Sequence, residues 1–167
     1  KPQVVPGLLG GLAGGAAIVL TAIVSKPFLP PDVVARIGSL GEVLPIATRL
    51  LYGGVLEELL LRWGLMTLLV WAAWRLLQNG RGRPRPSYFV CAILISALIF
   101  AAGHLPIALL LLPEATPAYV TFVIASNSVF GVIAGFLYWW KGLESSVIAH
   151  MVTHAVLLAA GHWGVYF

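Results

Sequence analysis

Charge is what this sequence has least of. Only 10% of its 167 residues are charged, whereas 60% are hydrophobic, and the mean hydropathy is +0.96. Soluble domains carry about 25% charged residues, so the composition excludes an ordinary water-soluble domain. The basic residues concentrate between apolar segments, where membrane proteins carry topology signals and contact anionic lipid. Membrane lipids are therefore the expected partners, and nucleic acid is not.

Cysteine is nearly absent as well. Cys91 is the single cysteine, which excludes an internal disulfide and leaves the redox compartment undefined. Because Cys91 lies in an apolar run, we interpret it as a small core residue. Segments with strand periodicity, low-complexity tracts and domain-scale repeats are also missing, so helices are the only element the pattern supports.

Long apolar runs make up most of the chain. A bilayer core about 30 Å thick needs roughly 20 apolar residues per helix, so a chain of this length accommodates about five or six spans and no separate soluble domain. The sequence therefore predicts an all-α, polytopic transmembrane bundle of about five to six helices, forming a single domain over residues 1–167. The expected spans are Val4–Val24, a helix from Pro45 through Leu77, Tyr88–Leu112, Tyr119–Trp140 and Leu143–Phe167.

Prolines and charges mark the connections between these spans. The first run lacks a small-residue cleavage signature and is interpreted as a mature span. The stretch Asp32 to Arg49 carries too many charges for lipid exposure and predicts an interfacial or re-entrant helix. The loop from Arg75 to Arg85 contains four arginines, which predicts a cytoplasmic location. Pro106 should break the third span, and the turn Pro113–Pro117, without basic residues, should lie outside.

Three charges lie inside one predicted span, at Glu57, Glu58 and Arg62. Each costs at least a few kcal/mol in a bilayer unless it is paired or faces water. Glu58 and Arg62 are i,i+4 neighbours on one helix face and can form a structural ion pair, whereas Glu57 points about 100° away. Glu57 is thus left free to face a cavity, although all three residues could instead form a purely structural cluster.

Histidines occur on two other predicted helices. His104 follows Phe100 by four residues, and the i,i+4 pair His150 and His154 shares one face of the last helix. Any one of them alone would more often be a satisfied polar residue between helices. Together with Glu57, the three imidazoles form a set that could activate water. His162, near the end of the last helix, is interpreted as an interfacial residue.

Polar residues elsewhere have simpler interpretations. Ser126, Asn127 and Ser128 interrupt another span and are predicted to form hydrogen bonds between helices. A Ser-His hydrolase built on Ser126 or Ser145 is not favoured, because neither serine has a nucleophile-elbow motif. The Gly131 and Gly135 pair predicts a notch for helix packing.

In combination, these residues resemble the type II CAAX prenyl endopeptidases and their prokaryotic relatives, the bacteriocin-processing and immunity-associated membrane proteases. That family shares EExxxR, FxxxH and late HxxxN-type motifs on separate helices. The matching residues here are Glu57, Glu58 and Arg62, then Phe100 and His104, then His150 and His154. The motif core spans residues 53–160. One departure is His154, where the family usually has asparagine or aspartate.

The resemblance implies an intramembrane endopeptidase. Glu57 would be the general base that deprotonates water, His104 and His150 would position that water or polarise the scissile carbonyl, and His154 would complete the oxyanion site. A rival mechanism uses a zinc ion held by His104, His150, His154 and Glu57, with metal-bound water as nucleophile. If Glu57 were a fourth ligand, however, water would have no open position unless coordination expanded. No cofactor is required by the first mechanism, and zinc is required by the second.

Substrate and location follow from the same resemblance. The expected substrate is a lipidated C-terminal tail or another membrane-associated peptide, and the expected setting is a prokaryotic plasma membrane. Two rival classes stay open: an inactive scaffold or bacteriocin-immunity protein of the same fold, and a transporter or proton-coupled channel. The channel would need a continuous polar path, of which the apolar stretches beside the motifs give little sign.

One geometric requirement accompanies the site. At about 1.5 Å per residue from the arginine-rich loop and from Lys141, His104 lies deeper in the bilayer than His150 if both helices are straight and untilted. The histidines can therefore meet only if the helices tilt or break, for instance near Pro106.

Overall fold

Every regular element in the described part of the chain is helical. The computed structural model describes residues 2–40, 45–112 and 116–165, and no strand occurs within them. The α-helices are α1 (Val4–Ser25), α2 (Pro31–Leu40), α3 (Ile46–Thr48), α4 (Thr67–Leu77), α5 (Pro86–Gly103), α6 (Leu105–Leu111), α7 (Pro117–Lys141) and α8 (Leu143–His162). The predicted all-α class is confirmed.

Helix α3 continues without a break into α4, and we call this run the motif helix. Its middle consists of two π-helical segments, Arg49–Glu57 and Leu59–Met66, with Glu58 between them. A π-helix bonds each N–H to the carbonyl five residues back, and accordingly both the N–H and the hydroxyl of Thr67 bond the carbonyl of Arg62. Such segments are rare and frequently mark functional sites. Here they contain Glu57 and Arg62, and they flank Glu58.

Four helices are long and apolar enough to cross a membrane: Val4–Phe28, Pro86–Leu110, Pro117–Lys141 and Leu143–His162. They correspond to four of the five predicted spans, and the motif helix covers the fifth from Ile46 to Leu77. The break expected at Pro106 is present, because α5 ends at Gly103 and α6 begins at Leu105. The chain is thus a helical membrane bundle.

Glycines let α1 lie directly against α8. A Cβ added at Gly7, Gly11 or Gly15 would come within 2.8 Å of Ile148, Val152 or Val156, respectively. The glycines of α1 and the residues they contact in α8 both increase by four residues from one contact to the next. The two helices therefore run parallel and in register. Small residues at such a contact allow the close packing that holds helices together in lipid.

The α5 and α7 helices pack through the predicted glycine notch. A Cβ on Gly131 would meet Ala97 at 2.8 Å, and one on Gly135 would meet Ile93 at 2.9 Å. The order of these contacts makes α5 and α7 antiparallel. After α7, the single residue Gly142, with φ of 94°, reverses the chain into α8. This left-handed conformation favours glycine because other residues meet a steric penalty there.

The second helix closes one end of the bundle. Leu29 and Val33 form a buried apolar cluster with Ala108, Leu112 and Tyr119. Helix α2 confirms the helical part of the prediction for Asp32 to Arg49, while its interfacial position stays a prediction. Residues 41–44 and 113–115, which include Glu42, Glu114 and most of the predicted turn, lie outside the described residues.

Polarity in this bundle is distributed opposite to that of a soluble protein. Large apolar side chains such as Leu9 and Leu110 are exposed, while the buried polar set comprises Glu58, Arg62, Ser96, Ser126, Ser145, Ser146, His150 and Thr153. Lipid solvates the outer surface, so burial is not required of an apolar residue. The interpretation of Cys91 as a core residue is wrong for this reason, since its side chain is exposed.

Candidate active site

Glu58 and Arg62 form a fully buried pair inside the bundle. Both side chains are 0% exposed, and Arg62 Nε lies 3.2 Å from Glu58 Oε2, as expected for i,i+4 neighbours. The contact is an ion pair without hydrogen-bond alignment, because none of the three guanidinium nitrogens has a hydrogen-bond partner among the described residues. The guanidinium also lies 5.4 Å from the centre of the Phe100 ring. Charge and the aromatic face together hold Arg62 in place.

His150 lies between the two carboxylates. Its Nδ1 donates to Glu58 Oε1 over 2.9 Å, and its Nε2 is 3.8 Å from Glu57 Oε2. The ring is almost buried, with 5% of the side chain exposed, whereas 18% of the Glu57 side chain is exposed. Sequence reasoning assigned Glu58 only to Arg62 and missed its bond to His150, because no spacing along one helix reveals a contact between helices.

His104 is oriented by its own helix. Its Nδ1 donates to the carbonyl of Phe100 over 2.8 Å, and its ring meets the Phe100 ring edge-on at 4.7 Å. A carbonyl can only accept, so Nδ1 carries the proton and Nε2 remains for another partner. His104 lies at the break between α5 and α6. The FxxxH spacing thus fixes the ring by a contact one helical turn back.

Aromatic rings bring the histidines together. The Phe100 ring lies 5.8 Å from His150, and the Phe130 ring lies 4.4 Å from His150. Because Phe100 contacts both His104 and His150, the depth difference expected for straight helices does not separate them. Both histidines also lie within electrostatic range of the Glu57 carboxylate. Sequence reasoning did not identify Phe130 as part of this site.

His154 stacks on His150 and packs against the motif helix. The two imidazoles are 5.0 Å apart and nearly parallel, at 14°. A Cβ on Gly53 would lie 2.5 Å from His154 Nε2, and one on Gly54 would lie 2.5 Å from Met151. Two adjacent glycines therefore allow α8 to approach the motif helix. The Gly53-Gly54 pair, which begins four residues before Glu57, is the sequence signal for this helix contact, and the sequence analysis did not identify it.

The donor set does not converge on a metal position. Across residues 2–40, 45–112 and 116–165, no three His, Cys, Asp or Glu side chains are grouped so that they could hold an ion. His104 and His150 both use Nδ1 for protein contacts, which leaves one nitrogen on each. As arranged, Glu57, His104, His150 and His154 include no group of three donors that meets at one point, and we route no catalytic step through a metal.

The remaining polar residues serve the helices rather than the site. Ser126 and Asn127 bond carbonyls of Phe122 and Val123 in their own helix, so the predicted interhelical bonds from these two residues are wrong. Ser145 donates to the carbonyl of Gln3. Neither serine hydroxyl contacts a histidine through these bonds, which agrees with setting the Ser-His hydrolase aside.

The helical membrane fold agrees with a comparison of the sequence with known protein families. A model of the family described as type II CAAX prenyl endopeptidase, Rce1-like, matches residues 39–156, which include every candidate site residue. No curated protein and no solved structure matches the chain. Since the match covers well over half of the sequence, the chain belongs to the Rce1-like type II CAAX prenyl endopeptidase family, a family of membrane proteases.

Proposed function

We propose that this protein is an intramembrane endopeptidase in which Glu57 activates a water molecule to hydrolyse a peptide bond of a membrane-associated or lipidated substrate. The main support is the gap of 3.8 Å between Glu57 Oε2 and His150 Nε2. That gap is too long for a direct hydrogen bond. It suits a water that bonds both atoms. Glu57 is also the more exposed of the two carboxylates, so water can reach it.

The orientation of the histidines supports a water-positioning role. With Nδ1 of His150 donating to Glu58 and Nδ1 of His104 donating to Phe100, a neutral ring can only accept at Nε2. Because Glu57 accepts one of the two water hydrogens, one of the two rings would accept the other and leave an oxygen lone pair directed at the substrate. We therefore assign His104 and His150 to water positioning rather than to polarising the carbonyl.

The proposed reaction needs no covalent intermediate. Glu57 takes a proton as the water oxygen bonds to the carbonyl carbon, and the carbonyl oxygen becomes an oxyanion. His154, stacked on His150, would donate to that oxyanion. The proton then passes from Glu57 to the amide nitrogen as the C–N bond breaks, which releases an amine and a carboxylic acid; the acid then loses its proton to the amine, giving a carboxylate and an ammonium group.

The substrate class follows from the setting of the site. The buried polar residues lie inside an apolar bundle, so a substrate must come from the bilayer or its surface. A peptide with a lipidated C-terminal tail suits this route and the family assignment. We further propose a prokaryotic plasma membrane with the Arg75 to Arg85 loop in the cytoplasm. The parallel α1 and α8 helices would then both begin on the cytoplasmic side.

A cleavage assay tests this proposal. Purified protein in detergent would be incubated with a farnesylated C-terminal peptide and its unmodified counterpart, and the products identified by mass spectrometry. We expect cleavage by the parent protein and by Glu144→Ala, a control at an exposed carboxylate, but not by Glu57→Ala. Full activity of Glu57→Ala would reject the mechanism. Loss of activity with phenanthroline would instead support the zinc alternative.

An inactive scaffold is the second candidate. The bond between His150 and Glu58 joins α8 to the motif helix and would be useful in a protein without catalysis. If the folded parent protein cleaves neither peptide nor a wider membrane-peptide library, the scaffold is the better assignment. A transporter would instead move protons or solute across sealed vesicles, with that flux lost in Glu57→Ala.

A further inference from the structure

A cavity lies away from the proposed catalytic residues, at the end of the bundle that carries the arginine-rich loop. It measures about 490 Å³ and opens between the motif helix, α5 and α7. Its walls are largely aromatic and apolar, and include Val70, Trp71, Trp74, Phe89, Tyr138 and Trp139. Cavities of this volume with apolar walls are suited to small ligands or lipid chains. The proposed mechanism makes no use of it.

Specific contacts hold the cavity walls in place. The Phe89 and Trp139 rings stack at 4.9 Å and 8°, and the hydroxyls of Thr67 and Tyr138 are 2.7 Å apart. Trp74 donates its indole N–H to the carbonyl of Gly82 over 3.0 Å. This last bond ties the arginine-rich loop to the cavity wall. The loop also contributes Pro84 to the cavity lining.

The rim of the cavity is basic. Gln78 bonds the backbone carbonyls of Arg81 and Arg83, so the loop is ordered while both arginine side chains remain exposed. Residues 66–89 and 136–144 contain the cavity lining, and the charged residues within them, next to the lining residues in the chain, are Arg75, Arg81, Arg83, Arg85, Lys141 and Glu144. Five cations against one carboxylate give this end of the bundle a strong preference for anions.

We propose that this cavity binds one anionic phospholipid. An acyl chain would occupy the aromatic groove, and the phosphate would bind the arginines at the rim. Basic pockets between transmembrane helices recognise acidic headgroups in this manner, and tryptophan and tyrosine favour the same interfacial depth. An apolar peptide would bind in the groove without contacting the arginines, and free phosphate would bind the arginines without occupying the groove. This inference does not depend on the proposed peptidase activity.

Native mass spectrometry of the full chain in detergent tests the site. Protein would be titrated with dioleoyl phosphatidylglycerol, with dioleoyl phosphatidylcholine, or with glycerol phosphate, which has no acyl chains. We expect one phosphatidylglycerol to bind more tightly than the other two ligands. A single exposed arginine contributes roughly fivefold to such binding, so Arg83→Gln should weaken phosphatidylglycerol about fivefold. The matched control is Lys26→Gln, which removes an exposed cation at the opposite end of α1.

A second variant tests the groove. Val70→Phe places a larger side chain in the cavity wall and should reduce phosphatidylglycerol binding; because Val70 is also buried among Met66, Ala92 and Ile93, the melting temperature should fall as well. Equal binding of the two phospholipids, tight binding of glycerol phosphate, or equal losses in Arg83→Gln and Lys26→Gln would each overturn the proposal. If Val70→Phe does not fold, the comparison of Arg83→Gln with Lys26→Gln decides it alone.

Discussion

The adjacent residues Glu57 and Glu58 face two different regions of this molecule, one partly exposed and the other fully buried. Glu58 is fully buried, forms an ion pair with Arg62 and accepts a hydrogen bond from His150, whereas Glu57 is partly exposed and lies 3.8 Å from His150. A carboxylate with strong fixed partners stabilises a fold, because its charge is already compensated. A carboxylate without them can accept a proton from water. The difference separates the structural half of the motif from its proposed chemical half.

Exchanging each carboxylate for its amide is the strongest test of this difference. We expect Glu57→Gln to reduce peptidase activity about 10²–10⁴-fold, since it removes a general base, with little change in melting temperature. Glu58→Gln should lower the melting temperature instead. Cleavage of the farnesylated peptide and tryptophan fluorescence on heating measure the two effects. Similar behaviour of the two variants would remove the distinction.

Replacing Arg62 should lower the folding stability of the buried Glu58 region. Arg62→Leu leaves Glu58 charged and buried without its ion-pair partner, a change that costs about 3–5 kcal/mol of folding free energy. The double variant Glu58→Gln with Arg62→Leu should recover part of this loss, because no uncompensated charge remains. Unfolding in mixed detergent measures the folding free energy of the single and the double variant. If the double variant were no more stable than Arg62→Leu, the ion pair would not be the main contribution of Glu58.

The close approach of α8 to the motif helix can be tested at Gly53. Gly53→Ala places a Cβ 2.5 Å from His154 Nε2 and must displace that ring. A displacement near 1 Å can reduce catalysis about 10²-fold. The matched control, Gly64→Ala in the same helix, meets only a backbone oxygen at 3.4 Å. Peptide cleavage by both variants should differ accordingly, and equal activities would show that the position of His154 is not critical.

The smallest effect is expected from His154→Asn, which introduces the usual residue of the family. An amide N–H can donate to an oxyanion as an imidazole does, so kcat/KM should change by less than about tenfold. Steady-state kinetics with the farnesylated peptide measures this change. A loss as large as that of Glu57→Gln would assign His154 a base or ligand role and would favour the zinc mechanism.

The sequence can predict contacts that depend on a single helix. The Glu58 and Arg62 pair was expected from its four-residue spacing, and the same spacing explains the contact of Phe100 with His104, which the sequence analysis did not predict. Apolar run lengths also predicted the spans, because bilayer thickness sets the number of residues required. The link from His150 to Glu58 could not be predicted, since it depends on how separate helices pack through Gly53 and Gly54.

Two errors have a common physical cause, the membrane itself. Cys91 was interpreted as a core residue because it lies in an apolar run, but in a membrane such a run has a face toward lipid, and Cys91 is exposed there. Ser126 and Asn127 were predicted to bond other helices, but each returns to a carbonyl of its own helix. In a medium without water, a short polar side chain finds its nearest acceptor one turn back.

The parallel contact between α1 and α8 has a consequence for biogenesis. Thr153, beside His154, donates its hydroxyl to the carbonyl of Gly11 in α1. Helix α1 leaves the ribosome long before α8, and contacts this distant in sequence form late. Helix α8, which carries His150 and His154, is synthesised after every other described helix. A partly translated chain would therefore already reside in the bilayer before the proposed site is complete.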